Sequence, residues 1–548
     1  KAARFSFLLF MVILSILLVS WWVLFSRTTW ETRLRGIGVL ILFGLLIRFD
    51  GFTGDIFPSF SFRWSPSPKE KAEKSRADLS DAELKPSAGI GDLKMRDYLL
   101  QSTDWPGYLG AGRDGIVHGH TYNETWLNPG EVWRIPMGDG WSSFAVAGPL
   151  CWTQEQDGDE ERVTCYEVAT GARLWRHADR IRFDETFGGP GPRATPTFHG
   201  GRIYSLGATG LLNCLDAGTG KPAWSVNILS DNGAVNLDWA MSGSPLVHDG
   251  RVIVSPGGKN GRSLVAYDLE NGERLWSAGS GVASYSSPQY AVIHGVPQIL
   301  ILNGEGLASH APDDGHVLWN HPWTNMNKVL VAQPLPCLDS SILLSAGYRK
   351  GSVLLDIAFK DGQWSVSERW KSLRLKAKFN NLILHGSHVY GLDEGILVCL
   401  DLTTGKRIWK GGRYGYGQMV RVGDVLVVLA ESGEVVHVRA TPDGHQEIGR
   451  FDALEGKTWN HPVLVGDRLY IRNGEQAALV YALYLGSAPA HISAAVLEQL
   501  IHSIQADPRC RPCLATGILS TKWIMETLSL HGRADVALSL ALKTARPS

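Results

Sequence analysis

Seven cysteines and 17 histidines are the first residues to question for chemistry. No His-Glu-x-x-His and no paired Cys/His ligand spacing occurs, so metal-assisted catalysis has no signature. Cys510-x-x-Cys513 stands alone, whereas a redox motif needs a thioredoxin-like context and a zinc site needs two further ligands. Gly110-x-Gly112-x-x-Gly115 has dinucleotide-binding spacing but neither a strand before it nor a helix after it. Glycoside hydrolysis needs two positioned carboxyl groups, and Glu498 and Glu526 lack a supporting motif. The richer chemistry is recognition. Arg193, Tyr285, Gln333, Tyr348, Lys350, Arg413, Tyr414, Gln418, Lys457, Trp459 and Asn460 supply cations, aromatic rings and amides. The stretch Gly411-Gly-Arg413-Tyr-Gly-Tyr-Gly417-Gln418 joins flexible backbone to a cation and two rings, which suits a peptide edge or a small anionic ligand. The same residues would equally line a water-filled channel. No catalytic residue and no metal ligand is assigned.

These side chains need a scaffold, and the scaffold is a repeat. From Glu131 onward an apolar strand, an acid, a Gly turn and a Trp strand recur. Instances are Cys165-Tyr-Glu-Val-Ala-Thr-Gly171-Ala-Arg-Leu-Trp175, Cys214-Leu-Asp-Ala-Gly-Thr-Gly220-Lys-Pro-Ala-Trp224 and Ala266-Tyr-Asp-Leu-Glu-Asn-Gly272-Glu-Arg-Leu-Trp276. Further instances are Asp313-Asp-Gly315-His-Val-Leu-Trp319, a degenerate Asp361-Gly362-Gln-Trp364, and Cys399-Leu-Asp-Leu-Thr-Thr-Gly405-Lys-Arg-Ile-Trp409. Thr441-Pro-Asp-Gly444 closes the series without a Trp, and successive turn glycines fall 39 to 52 residues apart. The turns supply the positive φ a hairpin needs, and Trp on the following strand is large enough to cover the gap to the next sheet. Glu167, Asp216, Asp268 and Asp401 read as hairpin caps, and Cys165, Cys214 and Cys399 as small buried residues. Two earlier strands in each unit make four, which predicts an all-β, eight-bladed β-propeller. Inner strands are expected from near Ala147, Ala194, Ser242, Ser286, Ala332, Asn380, Gln418 and Asn460. The eighth blade would borrow its outer strand from Glu131-Val-Trp-Arg-Ile-Pro136 and so remove an open edge. Seven blades with one irregular unit is the alternative.

The hairpins resemble the pyrroloquinoline-quinone (PQQ) type repeat, and Asp104-Trp105-Pro106-Gly-Tyr-Leu-Gly110-Ala-Gly-Arg113-Asp114-Gly115 resembles the lead-in of PQQ-like propellers. The resemblance covers roughly residues 101 to 486. It implies one of two branches. Quinoprotein dehydrogenases hold PQQ with a vicinal Cys-Cys disulfide and a Ca²⁺ bound by Glu and Asn or Asp, with an Asp base. BamB-like assembly propellers bind no quinone. No two cysteines are adjacent here. The expectation is therefore a non-catalytic binding protein without cofactor; the alternative is a PQQ- and Ca²⁺-dependent dehydrogenase oxidising alcohols or sugars. The last sixty to seventy residues resemble part of the helical domain of bacterial α-L-rhamnosidases, without the acid-rich segment of that family.

The flanks set the location. Phe5 to Phe25 is apolar enough for a transmembrane helix of about 5–26, and a second is expected over 34–48. Arg27, Arg33 and Arg35 lie between them, which would put both ends outside the cytoplasm. The expected organisation is a transmembrane region over 1–50, a Pro- and charge-rich linker over 51–100, the propeller over 101–486 and a helical tail over 487–548. The propeller would stand on the periplasmic side and meet a protein or other cell-envelope partner through its face. Lys+Arg 53 against Asp+Glu 54 leaves a net charge of -1, which excludes a nucleic-acid footprint. At 20% charged and 44% hydrophobic the chain is not disordered as a whole.

Overall fold

The computed structural model describes residues 14–15, 17–54, 58–67, 70, 86–87, 89–90, 94–122, 124–127, 129–337, 339–474 and 476–481. The chain divides into two compact units, Lys1–Tyr481 and Ala482–Ser548. The predicted tail over 487–548, with Cys510, Cys513, Glu498 and Glu526, lies outside the described residues.

Among the described residues are eight antiparallel sheets of four or five strands, and a separate two-stranded hairpin. The first sheet holds Ala145–Ala147, Leu150–Asp157, Glu160–Glu167 and Arg173–Asp179 in simple succession. The next five repeat this order, ending with Arg407–Arg413. The seventh, Gln418–Val422 to Glu447–Asp452, gains a fifth strand in parallel from β3 (Ile116–Val117). The eighth has three strands of its own, Val463–Val465, Arg468–Arg472 and Gln476–Tyr481. Its fourth is β4 (Gly130–Pro136), with Leu479 opposite Trp133.

The repeat explains how the sheets join. Turn glycines 171, 220, 272, 315 and 405 have φ of 65 to 75°, a conformation other residues adopt only at a cost. The acids cap these turns: Asp216 Oδ1 accepts from the Thr219 N–H at 3.0 Å and from its hydroxyl at 2.8 Å, and Asp401 treats Thr404 likewise. One residue before each apolar-acidic pair sits opposite the Trp, as Cys165–Trp175, Cys214–Trp224, Ala266–Trp276 and Cys399–Trp409 do. A bulge follows at that point and twists the outer strand. The Trp then lies over the turn of the next sheet. Trp175 donates Nε1–H to Ala217 O at 3.0 Å, Trp224 to Leu269 O at 3.1 Å, Trp276 to Pro312 O at 3.0 Å and Trp409 to Thr441 O at 2.8 Å. Trp133 of β4 makes the same bond to Val168 O at 3.0 Å, so the eighth sheet joins the first as the first, second, third and sixth join their neighbours.

The fifth sheet departs from the expected unit. Its outer hairpin runs Gly351–Lys360 and Gln363–Ser372, so Asp361-Gly362 turns at the far end of a ladder of ten-residue strands. Trp370, not Trp364, therefore makes the anchor, giving Nε1–H to Leu402 O at 2.8 Å. With that turn displaced, Trp319 of the fourth sheet bonds Gln298 within its own sheet at 2.9 Å.

Inner strands also begin later than expected: Thr197, Leu246, Gln289, Leu335, Ile383 and Val463 lie three or four residues beyond the predicted starts. The intervening residues are occupied elsewhere. The Ser143 N–H donates to Thr195 Oγ1 at 3.1 Å, Thr195 N–H to Ser244 Oγ at 2.9 Å and Ser244 N–H to Ser287 Oγ at 2.8 Å. Ser287 N–H then donates to Gln333 Oε1 at 2.9 Å, and Gln333 N–H to Asn381 Oδ1 at 2.7 Å. The Asn381 amide meets His461 Nε2 at 3.2 Å, and Ser143 Oγ–H returns to His461 O at 2.6 Å. This belt satisfies buried backbone donors that no ladder reaches. Arg472, wholly buried, crosses from the eighth sheet to Thr153 Oγ1 at 2.6 Å and Gln154 O at 2.8 Å.

The lead-in crosses the belt. Trp105 pairs with Val146, and Arg113 sends Nη1 to Pro245 O at 3.0 Å and Nη2 to Ser244 O at 3.1 Å. Tyr108 Oη accepts from the Asn381 amide at 2.8 Å, and Gly115 O accepts from Arg421 N at 2.9 Å. Gly110 and Gly115, with φ of 82 and 71°, give this segment its tight turns.

The N-terminal expectations need correction. Residues 5–13 and 16 lie outside the described residues; 17–25 are helical. The second helix is α1 (Trp30–Leu46), 17 residues or about 25 Å long. It begins four residues earlier than predicted and ends where the chain enters β1 (Ile47–Phe52), which pairs with β2 (Pro58–Phe62). Arg33 folds α1 against residues 17–25 by donating to Val23 O at 2.8 Å and to Ser26 O. Among the described residues, no helix is long and apolar enough to cross a membrane. The segment read as a linker also holds structure: besides this hairpin, Met95 is buried with Ala147, Leu150 and Phe198.

Candidate functional site

A cavity of about 290 Å³ lies among the loops between the sheets. Its walls come from connections that carry the chain from the outer strand of one sheet to the inner strand of the next. Trp141, Glu185, Phe187, Arg193, Trp239, Tyr285, Phe379 and Trp459 lie on such connections, and Tyr348 on the turn Gly347–Lys350. Loops held by a rigid scaffold are where recognition sites usually lie. Tyr108 of the lead-in and Thr53 and Gly54 after β1 also line it.

The aromatic rings form a continuous arc. Trp239 meets Tyr285 at 5.6 Å, Tyr348 at 6.4 Å and Phe379 at 6.2 Å between ring centroids. Phe379 meets Tyr416 at 5.4 Å and Trp459 at 5.6 Å, and Trp459 meets Trp141 at 4.9 Å. Two ammonium groups stand on the arc. Lys457 Nζ lies 4.4 Å from the Trp459 ring and 5.2 Å from Trp141; Lys378 Nζ lies 4.1 Å from Tyr416 and 4.2 Å from Phe379. Such stacks hold a cation where water is scarce, at a gain of roughly 0.5–2 kcal/mol each.

The structure brings Arg193, Tyr285, Tyr348, Gln418 and Trp459 together in this lining, with Lys457 over the arc. The other expected residues lie elsewhere. Gln333 belongs to the belt, and Asn460 donates to Gly140 O at 3.3 Å and Ser142 O at 2.6 Å. Lys350 covers the Trp323 ring at 5.1 Å. Tyr414 bonds His445 Nε2 at 2.8 Å, and Arg413 is exposed at the end of its strand. Tyr416, one of the two rings of the Gly411–Gln418 stretch, joins the arc as well, whereas sequence reasoning missed Trp141, Phe187, Trp239, Phe379 and Lys378. Their signal was available: a bulky ring or cation a few residues before each inner strand.

The polar groups of the cavity are engaged or neutral. Arg193 bonds Gly189 O at 2.7 Å and Glu185 Oε1 at 3.3 Å, and burial pulls its guanidinium down to about 10. Glu185 also accepts from the Phe187 amide at 2.7 Å and the Gly188 amide at 2.5 Å. Burial pushes the Tyr285 hydroxyl up to about 12 and the His461 imidazole down to about 3, so both are uncharged at neutral pH. The imidazole meets the Asn381 amide at 3.2 Å. The cavity can stack rings, hold carbonyls and exclude water.

A quinone with Ca²⁺ does not match these donors. Cys151, Cys165, Cys214, Cys337 and Cys399 are free and buried, and no two are adjacent in the sequence. Glu185 is committed to Arg193 and two amides, and Glu431 to the indole of Trp459 and the Tyr416 amide. Among the described residues no three His, Cys, Asp or Glu side chains cluster as metal ligands.

Residues 159–411 match the family model described as outer membrane protein assembly factor BamB. Residues 453–548 match the bacterial alpha-L-rhamnosidase six-hairpin glycosidase domain, although those from 463 to 481 supply strands of the eighth sheet. Quinohemoprotein alcohol dehydrogenase ADH-IIG of Pseudomonas putida is 28% identical over 135 residues, covering 24% of this chain and 15% of that protein. The dehydrogenase subunit of the quinone alcohol dehydrogenase of Komagataeibacter europaeus is 31% identical over 221 residues, covering 35% and 28%. The chain thus spans less than a third of the curated relatives it matches. The crystal structure of quinohemoprotein alcohol dehydrogenase from Comamonas testosteroni superposes with a TM-score of 0.51 at 13% identity, over 75% of this chain and 85% of that one, which speaks for the fold alone. The chain is thus similar over residues 159–411 to the BamB family model, over shorter stretches to quinoprotein alcohol dehydrogenases, and over residues 453–548 to the rhamnosidase domain.

Proposed function

We propose that the chain is a non-catalytic binding protein of the cell envelope. In this reading the eight sheets are the blades of one closed propeller over about 101–486. The N-terminal helices anchor it to a membrane, and the propeller stands on the extracytoplasmic side. The aromatic cavity holds a protein partner. The observation that carries the reading is the unbroken arc from Tyr285 to Trp141, with two ammonium groups on it. Aromatic and cationic anchors in a desolvated hollow are what partner surfaces use for affinity. Support for anchoring is the exposed apolar surface of the helices: Leu17, Trp21, Phe25, Leu34, Val39 and Ile41 are each at least 57% exposed.

The sequence relatives favour a second reading, a PQQ-dependent dehydrogenase of alcohols or sugars. A dye-linked dehydrogenase assay of the full chain with added PQQ and Ca²⁺ separates the two. The binding reading expects no turnover above the protein-free control; sustained turnover on any alcohol or sugar would replace it with the dehydrogenase reading.

A further inference from the structure

The cavity already holds a peptide, and it belongs to the chain itself. After β1 the backbone leaves Phe52 and carries Thr53 and Gly54 into the lining. The Phe52 ring meets Phe187 at 5.4 Å, and Phe52 O accepts from Lys457 Nζ at 3.5 Å. The Gly54 N–H donates to Glu431 Oε1 at 2.8 Å, and Gly54 O accepts from the Lys378 ammonium. Both hydrogen-bonding groups of one residue thus meet full charges of opposite sign. Bonds of this kind are about twice as strong as neutral ones, and they read main chain rather than side chain.

Sterics narrow the reading further. A Cβ on Gly54 would lie 2.0 Å from the Tyr416 ring, so the slot admits glycine and rejects other residues unless the ring moves. Lys378 gives the second constraint. It is 3% exposed, and among the described residues it forms no salt bridge. A buried ammonium is costly unless its donors find acceptors. The Gly54 carbonyl and the faces of Phe379 and Tyr416 meet that need. Once the tip leaves, the cation keeps its ring faces and loses its carbonyl. The slot is therefore built to receive a peptide carbonyl.

We propose that Lys378, Glu431, Tyr416 and Phe187 form a recognition site for a peptide turn of the pattern aromatic-x-Gly, which the chain's own Phe52-Thr53-Gly54 occupies in cis. A partner's turn of this pattern binds when the hairpin withdraws. The inference rests on the reading of the cavity as a partner surface and names the chemistry that surface selects. A tethered segment competes at an effective concentration on the order of millimolar, so the wild-type chain masks its own site from dilute ligand.

The test uses the full chain and a fluorescent peptide with the sequence of Asp50 to Phe57. Gly54→Val expels the tip by its clash with Tyr416. The peptide is expected to bind this variant at least tenfold more tightly than wild type. Adding Lys378→Met or Glu431→Gln should return affinity at least tenfold, and a peptide with Ala in place of its second Gly should not bind. If Gly54→Val lowers thermal stability enough to compromise folding, Phe52→Ala frees the tip by removing its contact with Phe187, with the same expected gain. A folded variant that binds the peptide no better than wild type, or binds the Ala peptide equally, overturns the proposal. A variant that ignores the peptide yet still cross-links to an envelope protein from Tyr285 would sink the slot and leave the cavity as the partner surface.

Discussion

Replacing Trp133 with Ala tests whether the borrowed strand holds the last sheet to the first. Trp133 is 6% exposed, and its indole lies against Gly171 of the first sheet while bonding Val168 O. Removing a buried Trp costs about 3–5 kcal/mol through lost burial and the cavity left behind. Trp276→Ala is the internal reference: the side chain is 8% exposed, lies against Gly315 and bonds Pro312 O, all between neighbouring sheets within the series. If β4 closes the structure as the geometry indicates, the two substitutions should cost about the same, each near 3–4 kcal/mol. Urea unfolding followed by far-UV circular dichroism gives both values, and unchanged m-values check that the unfolding transition is comparable. Amide exchange of Gln476–Tyr481 should accelerate in Trp133→Ala and not in Trp276→Ala, because those residues pair with β4. The reasoning is refuted if Trp133→Ala costs about 0.5 kcal/mol or less, as at an ordinary surface position, while Trp276→Ala costs the full amount.

Two further predictions concern buried charge. Burial pushes the Glu161 carboxyl up to about 7, so the folded chain keeps a proton that the unfolded chain releases from about pH 4.5. Stability should fall as pH rises through that window, by up to about 3 kcal/mol, and level off above it. Glu161→Gln keeps an acceptor for the Ala208 amide and should flatten the slope; an unchanged slope in urea midpoints between pH 5 and pH 8.5 would assign it to other groups. Arg113 grips Pro245 O and Ser244 O with two nitrogens, a fork that Lys cannot copy. Arg113→Lys should cost about 1.5–3 kcal/mol and speed proteolytic cleavage within 104–115; equal cleavage rates would show that the fork does not hold the crossing.

The sheets were legible in the sequence because their signal is covalent spacing. Gly171, Gly220, Gly272 and Gly405 mark turns, and each Trp follows at a fixed offset because it must reach the neighbouring turn. The same rule misplaced the fifth anchor: the ladder there continues for several residues past the usual turn, so Trp364 follows Gly362 after only two residues while Trp370 does the docking. The belt was invisible, since Thr195, Ser244, Ser287, Gln333 and Asn381 find one another only after the sheets meet. Gln333 and Asn460 looked like ligand-binding amides for that reason. The cavity was half legible. Arg193, Tyr285, Tyr348 and Trp459 stood out as polar or aromatic residues in loops, but Lys378 reads as an ordinary surface lysine until Phe379 and Tyr416 close over it. The hairpin carrying Gly54 sits between charged and proline-rich stretches that suggest a solvated linker, and only its contact with Glu431 reveals a role.

Photo-cross-linking in cells tests the central claim most directly. A benzoylphenylalanine placed at Tyr285, inside the arc, is compared with one at Lys371, on the outer strand of the fifth sheet. The account predicts a discrete adduct with a cell-envelope protein from position 285 and none from position 371. Adducts of equal yield from both positions, or none from position 285 in a folded chain, would contradict it.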